Sequence, residues 1–183
     1  MTASSVGELR EIPEPESSDA KEVFSFFGLC SYCAQVLEEG LINLAVGLRI
    51  RGQTRLVVGG IDLLFEEIGK RTLGQLIKDV RRHVDVPAEI EKTLQGALQD
   101  RNFLAHRFFA SHDIDFASAR GRTEMITELR QITDRFQRVD GQLQPITDAL
   151  WERLGITKEM IQGALAKMKA EAKQRDTICL QDL

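Results

Sequence analysis

Apolar side chains recur every three or four residues along most of this chain, the spacing that places them on one face of an α-helix. Only Leu56-Val57-Val58 has the composition of a short strand, and Gly59-Gly60 follows at once, so we expect a loop there. No other segment alternates strictly between apolar and polar residues. The pattern predicts an all-α fold, an up-and-down helical bundle of five to six helices.

Four helices are predicted in the first part of the chain. Dense apolar residues over Val23–Ile50 suit a buried helix, and a shorter helix is predicted over about Ile61–Lys70. The segment Thr72–Gln75 has the capping-box arrangement, in which the first and last side chains satisfy free backbone amides at a helix start. Pro87 suits the first turn of a fourth helix, which leads into Arg101–His106.

The second part of the chain carries a heptad repeat. Ser111–Asp115, before the repeat, breaks the helical period and predicts a loop, and a last helix is predicted after the repeat, over about Lys158–Lys173. A heptad repeat packs either into a bundle core or against a partner helix, and we favour the core. Gly141 and Pro145 lie within the repeat, so we expect a kink, because proline removes a backbone hydrogen bond. The repeat consists of Met125, Leu129, Ile132, Phe136, Val139, Leu143, Ile146 and Leu150.

The chain of 183 residues is long enough for one domain with a sizeable core. Residues 1–20 are rich in Ser, Glu and Pro, so we expect a disordered acidic tail. We expect a single helical domain over residues 21–175 and a short C-terminal tail over residues 176–183. Val23–Leu37, the longest stretch without a charge, is shorter than the roughly 18 residues of a membrane span. With no basic, apolar leader at the N-terminus, we expect a cytoplasmic protein without membrane contact.

The formal net charge of −4 argues against a protein that coats nucleic acid indiscriminately. Between Arg49 and Arg107, however, 11 Lys or Arg face 8 Asp or Glu. A moderately basic middle could guide an anionic ligand to one face, although an ordinary solvated surface explains it equally well.

Cys30-Ser31-Tyr32-Cys33 has the spacing of a redox pair or of half a zinc site. Cys30 and Cys33 are the only closely spaced pair, and no second Cys or His pair accompanies them. We interpret both as small packing residues on a helix face, with Cys179 alone at the far end. The glycines match neither nucleotide-binding fingerprint, so we expect no cofactor and no metal.

The segment Arg101–His106 combines a side chain that binds phosphate with one that titrates near neutrality, at the end of an amphipathic helix. Asn102 and His106 share a helix face, whereas Arg101 and His106 are separated by about 140° and about 7.5 Å along the axis. Two such helices facing each other across a two-fold axis would form a cleft with two guanidinium groups and two imidazoles. A guanidinium could stabilise a pentavalent phosphate while imidazoles deprotonate a ribose 2′-hydroxyl and protonate the leaving oxygen. This chemistry needs no metal and leaves a cyclic phosphate.

Arg101-Asn102-Phe103-Leu104-Ala105-His106 resembles the Arg-x4-His motif of the HEPN superfamily, all-helical dimeric domains of which many are metal-independent ribonucleases. These act in toxin–antitoxin, phage-defence and CRISPR-associated systems. The resemblance covers about residues 23–150 and implies that Arg101 and His106 are catalytic, that Asn102 assists, and that the chain forms a homodimer through the motif helix. It also implies RNA as substrate and an antitoxin or other protein partner.

One branch of that superfamily continues the motif as His-x-Tyr, and a nucleotidyltransferase partner modifies the tyrosine. Here Phe108 holds that position, and the only tyrosine, Tyr32, is distant in sequence. The resemblance therefore does not extend to control by that route.

Two alternatives stay open. Arg101 could pair with an acid such as Asp100 or Asp115, and His106 could bind a backbone carbonyl, which would make the motif structural. The chain would then be a non-catalytic helical dimer that binds a partner, for example through the heptad repeat. His83 and His112 are weaker candidates and are left out of the catalytic set. His83, beside Arg81 and Arg82, could contact phosphate, but cations at a helix C-terminus are also favoured by the helix dipole alone.

Overall fold

The computed structural model describes residues 11–51 and 60–181, with side chains as far as residue 171. Every regular element within these ranges is a helix, which confirms the all-α prediction. The elements are α1 Ala20–Arg51, α2 Gly60–Gly69, α3 Leu73–His83, α4 Ala88–His106, α5 Phe108–Ser111, a 3-10 turn Asp115–Ala117, α6 Ala119–Arg153 and α7 Lys158–Gln181. The possible strand Leu56-Val57-Val58 lies outside the described residues.

Two compact units divide the chain, Met1–Thr147 and Asp148–Leu183. In the second unit, α6 ends in a turn at Gly155, whose φ of 87° suits a residue without a side chain. Lys158 Nζ then pairs with Asp148 Oδ2 at 2.9 Å. Helix α7 continues to Gln181, beyond the predicted end near Lys173, and no Gly or Pro lies between these positions to stop it.

Helix α1 is the central element of the first unit and packs against α2, α3 and α4. Its second half is buried at nearly every position from Leu41 to Ile50 because neighbours cover several of its faces. The capping box that opens α3 is confirmed. Gln75 N donates to Thr72 Oγ1 at 3.4 Å, and Thr72 N donates to Gln75 Oε1 at 2.9 Å.

Six of the eight members of the heptad repeat, those from Met125 to Leu143, lie in the core of the first unit, and each is at most 3% exposed. The bundle interpretation is confirmed for these six residues. The alternative, in which a partner helix docks on them, is wrong because this chain already covers them. Helix α6 is continuous through Pro145, and Ile146, directly after it, is 41% exposed. The kink at this site stays a prediction.

Two side chains of α6 hold the segment before α1. Arg130 Nη2 pairs with Glu14 Oε1 at 2.5 Å, and Arg122 Nε donates to Ser18 O at 2.6 Å. Residues 1–10 of the predicted tail lie outside the described residues.

Among the helices that the structure describes, none is both long and apolar enough to cross a bilayer.

Candidate functional site

Helix α4 carries the three motif side chains and turns them in two directions. Arg101 is partly buried and faces α1, whereas Asn102 and His106 are exposed. Leu104, which is 6% exposed, anchors this last turn in the core. Two sides of one helical turn are thus used differently, one for packing and one facing solvent.

Neighbouring residues of α4 bind two different helices. Arg101 Nε donates to Glu38 Oε1 of α1 at 2.9 Å. Arg135 of α6 holds the Asp100 carboxylate with two hydrogen bonds, Nε to Oδ2 at 2.6 Å and Nη2 to Oδ1 at 3.0 Å. The alternative that Arg101 pairs with an acid is confirmed, but the acid is Glu38. Asp100 and Asp115, the two examples given for it, are engaged with Arg135 and His112 instead. These bonds orient the C-terminal half of α4 between α1 and α6.

Arg101 and Glu38 line a surface pocket of about 200 Å³ between α1 and α4. Their side chains are 32% and 25% exposed, so solvent reaches the ion pair only in part. The bond to Glu38 uses Nε and leaves both terminal amino groups of the guanidinium able to hold an anion. The other lining residues are Phe27, Ser31, Ala34, Gln35, Leu104 and Ala105.

His106 ends α4 outside this pocket. Within the described part of the chain, its imidazole forms no hydrogen bond or ion pair, and neither does the Asn102 side chain. The alternative in which His106 binds a backbone carbonyl is therefore wrong within the described residues. One chain does not bring Arg101 and His106 into one pocket, which agrees with their separation on the helix.

The other two histidines have local structural partners. His83 Nδ1 donates to Asp79 O at 2.9 Å and so satisfies a carbonyl at the end of α3. His112 lies between two carboxylates, with Nδ1 at 2.9 Å from Asp115 Oδ2 and Nε2 at 2.7 Å from Glu128 Oε2. Partial burial lowers the pKa of His112, but the two carboxylates outweigh burial and raise the pKa above 6.5.

Phe108, at the position where the related branch has tyrosine, is only 1% exposed. Its ring packs edge-on against Phe103, with centroids 5.8 Å apart, and lies 5.7 Å from the ring of Phe27. A modifying enzyme could not reach a side chain at this position without opening the core.

Cys30 and Cys33 are free thiols buried inside α1, which agrees with their interpretation as packing residues. Burial raises the pKa of Cys30 to about 12, against a smaller opposing effect of its hydrogen bond with Thr133. Gln137 Nε2 lies 3.9 Å from Cys33 Sγ. Among the described residues, no group of three or more His, Cys, Asp or Glu is arranged to hold a metal ion.

Glu38 is the charged member of the site that the sequence did not reveal. It lies 63 residues from Arg101 and has an acidic neighbour, Glu39, with the same local composition. Only the packing of α1 on α4 distinguishes the two carboxylates. No family model, curated protein or solved structure matches this chain.

Proposed function

We propose that this protein is a metal-independent endoribonuclease of the HEPN type, and that its active site forms between two copies of α4. The observation that supports this best is the state of the two motif side chains. Arg101 is held by Glu38 beside a pocket, and His106 is exposed without a partner among the described residues. Neither side chain is fully buried, and no partner within the described residues gives the His106 imidazole a structural role.

Arg101 binds the scissile phosphate in this mechanism. Glu38 holds Nε, so the terminal amino groups receive two phosphate oxygens and offset the charge that grows on phosphorus. The Glu38 carboxylate offsets the positive charge of Arg101, so the ion pair as a whole has little net charge. Phosphate binding therefore depends on directed hydrogen bonds more than on long-range electrostatic attraction.

His106 removes the proton of the ribose 2′-hydroxyl, whose oxygen then attacks phosphorus. The 5′-oxygen leaves and takes a proton from the imidazole of the second chain or from water, and a 2′,3′-cyclic phosphate remains. Asn102, on the same exposed face as His106, donates hydrogen bonds to the ribose or the phosphate. Because Arg101 and His106 of one chain do not share a pocket, a second copy of the motif completes the site, and the active form is a homodimer through α4.

We infer that the chain is an up-and-down helical bundle of the HEPN superfamily. The partners of such an enzyme are RNA and, where the activity serves defence or stress, an antitoxin or another protein that restrains it. The burial of Phe108 supports restraint by a route other than modification at that position.

The decisive experiment is incubation of the purified protein with total RNA in excess EDTA, with fragment ends identified by mass spectrometry. We expect cyclic-phosphate ends from the wild type and none from His106→Ala or Arg101→Ala. The matched control is His83→Ala, which removes an imidazole from the end of another helix and should retain cleavage. Intact RNA with the wild type and with all variants would reject the nuclease.

A non-catalytic adaptor is the second candidate, and one observation favours it. Helix α1 exposes two large apolar side chains on one face, Tyr32 at 46% and Val36, four residues later, at 36%. An adaptor would bind its partner through this face of α1 and not through the buried repeat of α6. In that case Val36→Asp would abolish partner binding, while His106→Ala would leave it unchanged.

A further inference from the structure

A second pocket, of about 270 Å³, is lined mainly by side chains of α3. Its lining consists of Arg71, Gln75, Lys78, Asp79 and Arg82. Three of the five residues are cations, in a chain whose net charge is −4. The spacing of these residues, four or three positions apart, places most of them on one side of the helix. The pocket therefore concentrates positive charge on one helix face.

The only carboxylate of this pocket is already neutralised. Asp79 is 2% exposed and lies 2.6 Å from Arg71 Nη1 and 3.8 Å from Arg49 Nη2. Arg49 and Arg71 also share Glu67, at 3.3 Å and 2.8 Å. The two arginines and the two carboxylates balance in charge, and their ion pairs connect α1, α2 and α3. Arg49 and Arg71 therefore have a structural role.

Lys78 and Arg82 have no such explanation. Both are exposed, and within the described residues neither is paired with a carboxylate. The undescribed segment 52–59 contains no Asp or Glu. Like charges four residues apart on a helix repel each other and destabilise the helix. The helix dipole favours Arg82 in the last turn of α3, but Lys78 lies a full turn earlier, where this effect has faded.

We propose that Lys78 and Arg82 bind a phosphate group in this pocket, carried either by a small phosphorylated molecule or by the backbone of RNA. Gln75 adds a donor, because its Oε1 accepts from Thr72 N at 2.9 Å and its amide hydrogens stay available. Arg71 also lines the pocket, but its charge is balanced by Asp79 and Glu67, so Lys78 and Arg82 supply the net positive charge. Several donors converging on a small pocket are what a phosphate group requires.

This site is distinct from the motif and does not depend on ribonuclease activity. On α1, Arg49 beside this pocket and Glu38 beside Arg101 are about 16 Å apart at about 1.5 Å per residue. An RNA strand could span both, whereas a small phosphorylated molecule would occupy the α3 pocket alone.

The test is calorimetric titration of the full chain with inorganic pyrophosphate, in a buffer without phosphate. We compare the wild type with Lys78→Gln/Arg82→Gln and with a control that removes the same charge from exposed positions of α7, Lys167→Gln/Lys169→Gln. We expect saturable binding that the first double variant weakens by at least about tenfold and the control leaves unchanged. Pyrophosphate should also raise the melting temperature of the wild type and the control, but not that of the first variant.

Absence of saturable binding, or equal weakening in both double variants, overturns the proposal.

A second experiment identifies the molecule that carries the phosphate. Binding of a labelled single-stranded RNA is measured by fluorescence anisotropy in the His106→Ala background, which prevents cleavage. If Lys78→Gln/Arg82→Gln weakens RNA binding and lowers the slope of log Kd against log salt concentration by about one to two, the ligand is RNA. If RNA binding is unchanged while pyrophosphate binding is lost, the ligand is a small phosphorylated molecule. Uncut RNA in the nuclease assay does not affect either result.

Discussion

Glu38 Oε1 accepts a hydrogen bond from Arg101 Nε at 2.9 Å, and this bond joins residues 63 positions apart in the chain. It connects α1 with the last turns of α4, where the motif lies. Because it engages Nε alone, it orients the guanidinium without using its terminal amino groups. The structural partner of Arg101 and its proposed role as a phosphate ligand are therefore compatible.

Glu38→Ala should lower RNA cleavage by about tenfold, because Arg101 loses the partner that fixes its orientation. Folding should change by no more than about 0.2–1 kcal/mol, since the pair is partly exposed. The loss in Glu38→Ala should lie in kcat and not in KM. Glu38→Gln keeps an acceptor for Arg101 Nε and should recover most of the activity. The control is Glu39→Ala, the exposed neighbour. Equal activity of Glu38→Ala and Glu39→Ala would mean that Glu38 does not position Arg101.

Gly121→Ala and Gly141→Ala, both in α6, should change stability in opposite directions. A Cβ at position 121 would lie 2.2 Å from the backbone oxygen of Asp115, so the 3-10 turn must move, at a cost of about 1–3 kcal/mol. A Cβ at position 141 meets nothing within 4 Å, so alanine should stabilise the helix by about 0.5–1 kcal/mol. Urea unfolding of both variants checks this, and a shift of the same sign in both would contradict it.

Phe136→Ala should destabilise the protein by about 3–5 kcal/mol, because Phe136 is 0% exposed and truncation leaves a cavity. Met160→Ala, at a position 58% exposed in α7, is the control and should cost less than about 0.5 kcal/mol. Denaturant midpoints at several protein concentrations measure both effects. If Phe136→Ala instead kept its stability and only dissociated an assembly, the repeat of α6 would be a partner surface after all.

His112 should make stability depend on pH above about pH 6.5. Its pKa is raised in the folded chain, and carboxylates only accept hydrogen bonds, so the protonated imidazole is the form that Asp115 and Glu128 stabilise. This contribution is fully present below about pH 6.5, the ordinary pKa of histidine, and is lost as the pH rises through the raised pKa. Urea midpoints should fall over that interval in the wild type and stay level in His112→Gln. A fall of the same size in both proteins would assign it to another group.

Cys30 and Cys33 should not react with a thiol reagent in the native protein. Both are buried, and with a pKa of about 12 the Cys30 thiol is almost wholly protonated at pH 8. The measurement uses a Cys179→Ser background and a chromogenic disulfide reagent, with denatured protein as the positive control. Rapid labelling of either thiol under native conditions would show that α1 opens.

Local sequence determined the helices and several of their ends. The capping box at Thr72 and Gln75 uses neighbouring atoms only, so its residues specify it without the rest of the fold. The repeat of α6 identified core residues in the same way, because a buried stripe needs only a regular spacing. The sequence also placed Arg101 and His106 on separate sides of one helix, since helical geometry alone decides this.

Tertiary structure alone decided which groups meet. Nothing near Glu38 distinguishes it from Glu39, and only the packing of α1 against α4 selects it as the partner of Arg101. The same holds for Asp100 with Arg135, and for the burial of Asp79 between two arginines of α1 and α2–α3. Ion pairs between distant segments depend on how helices cross, and crossing depends on the fit of whole faces, which no short stretch of residues encodes.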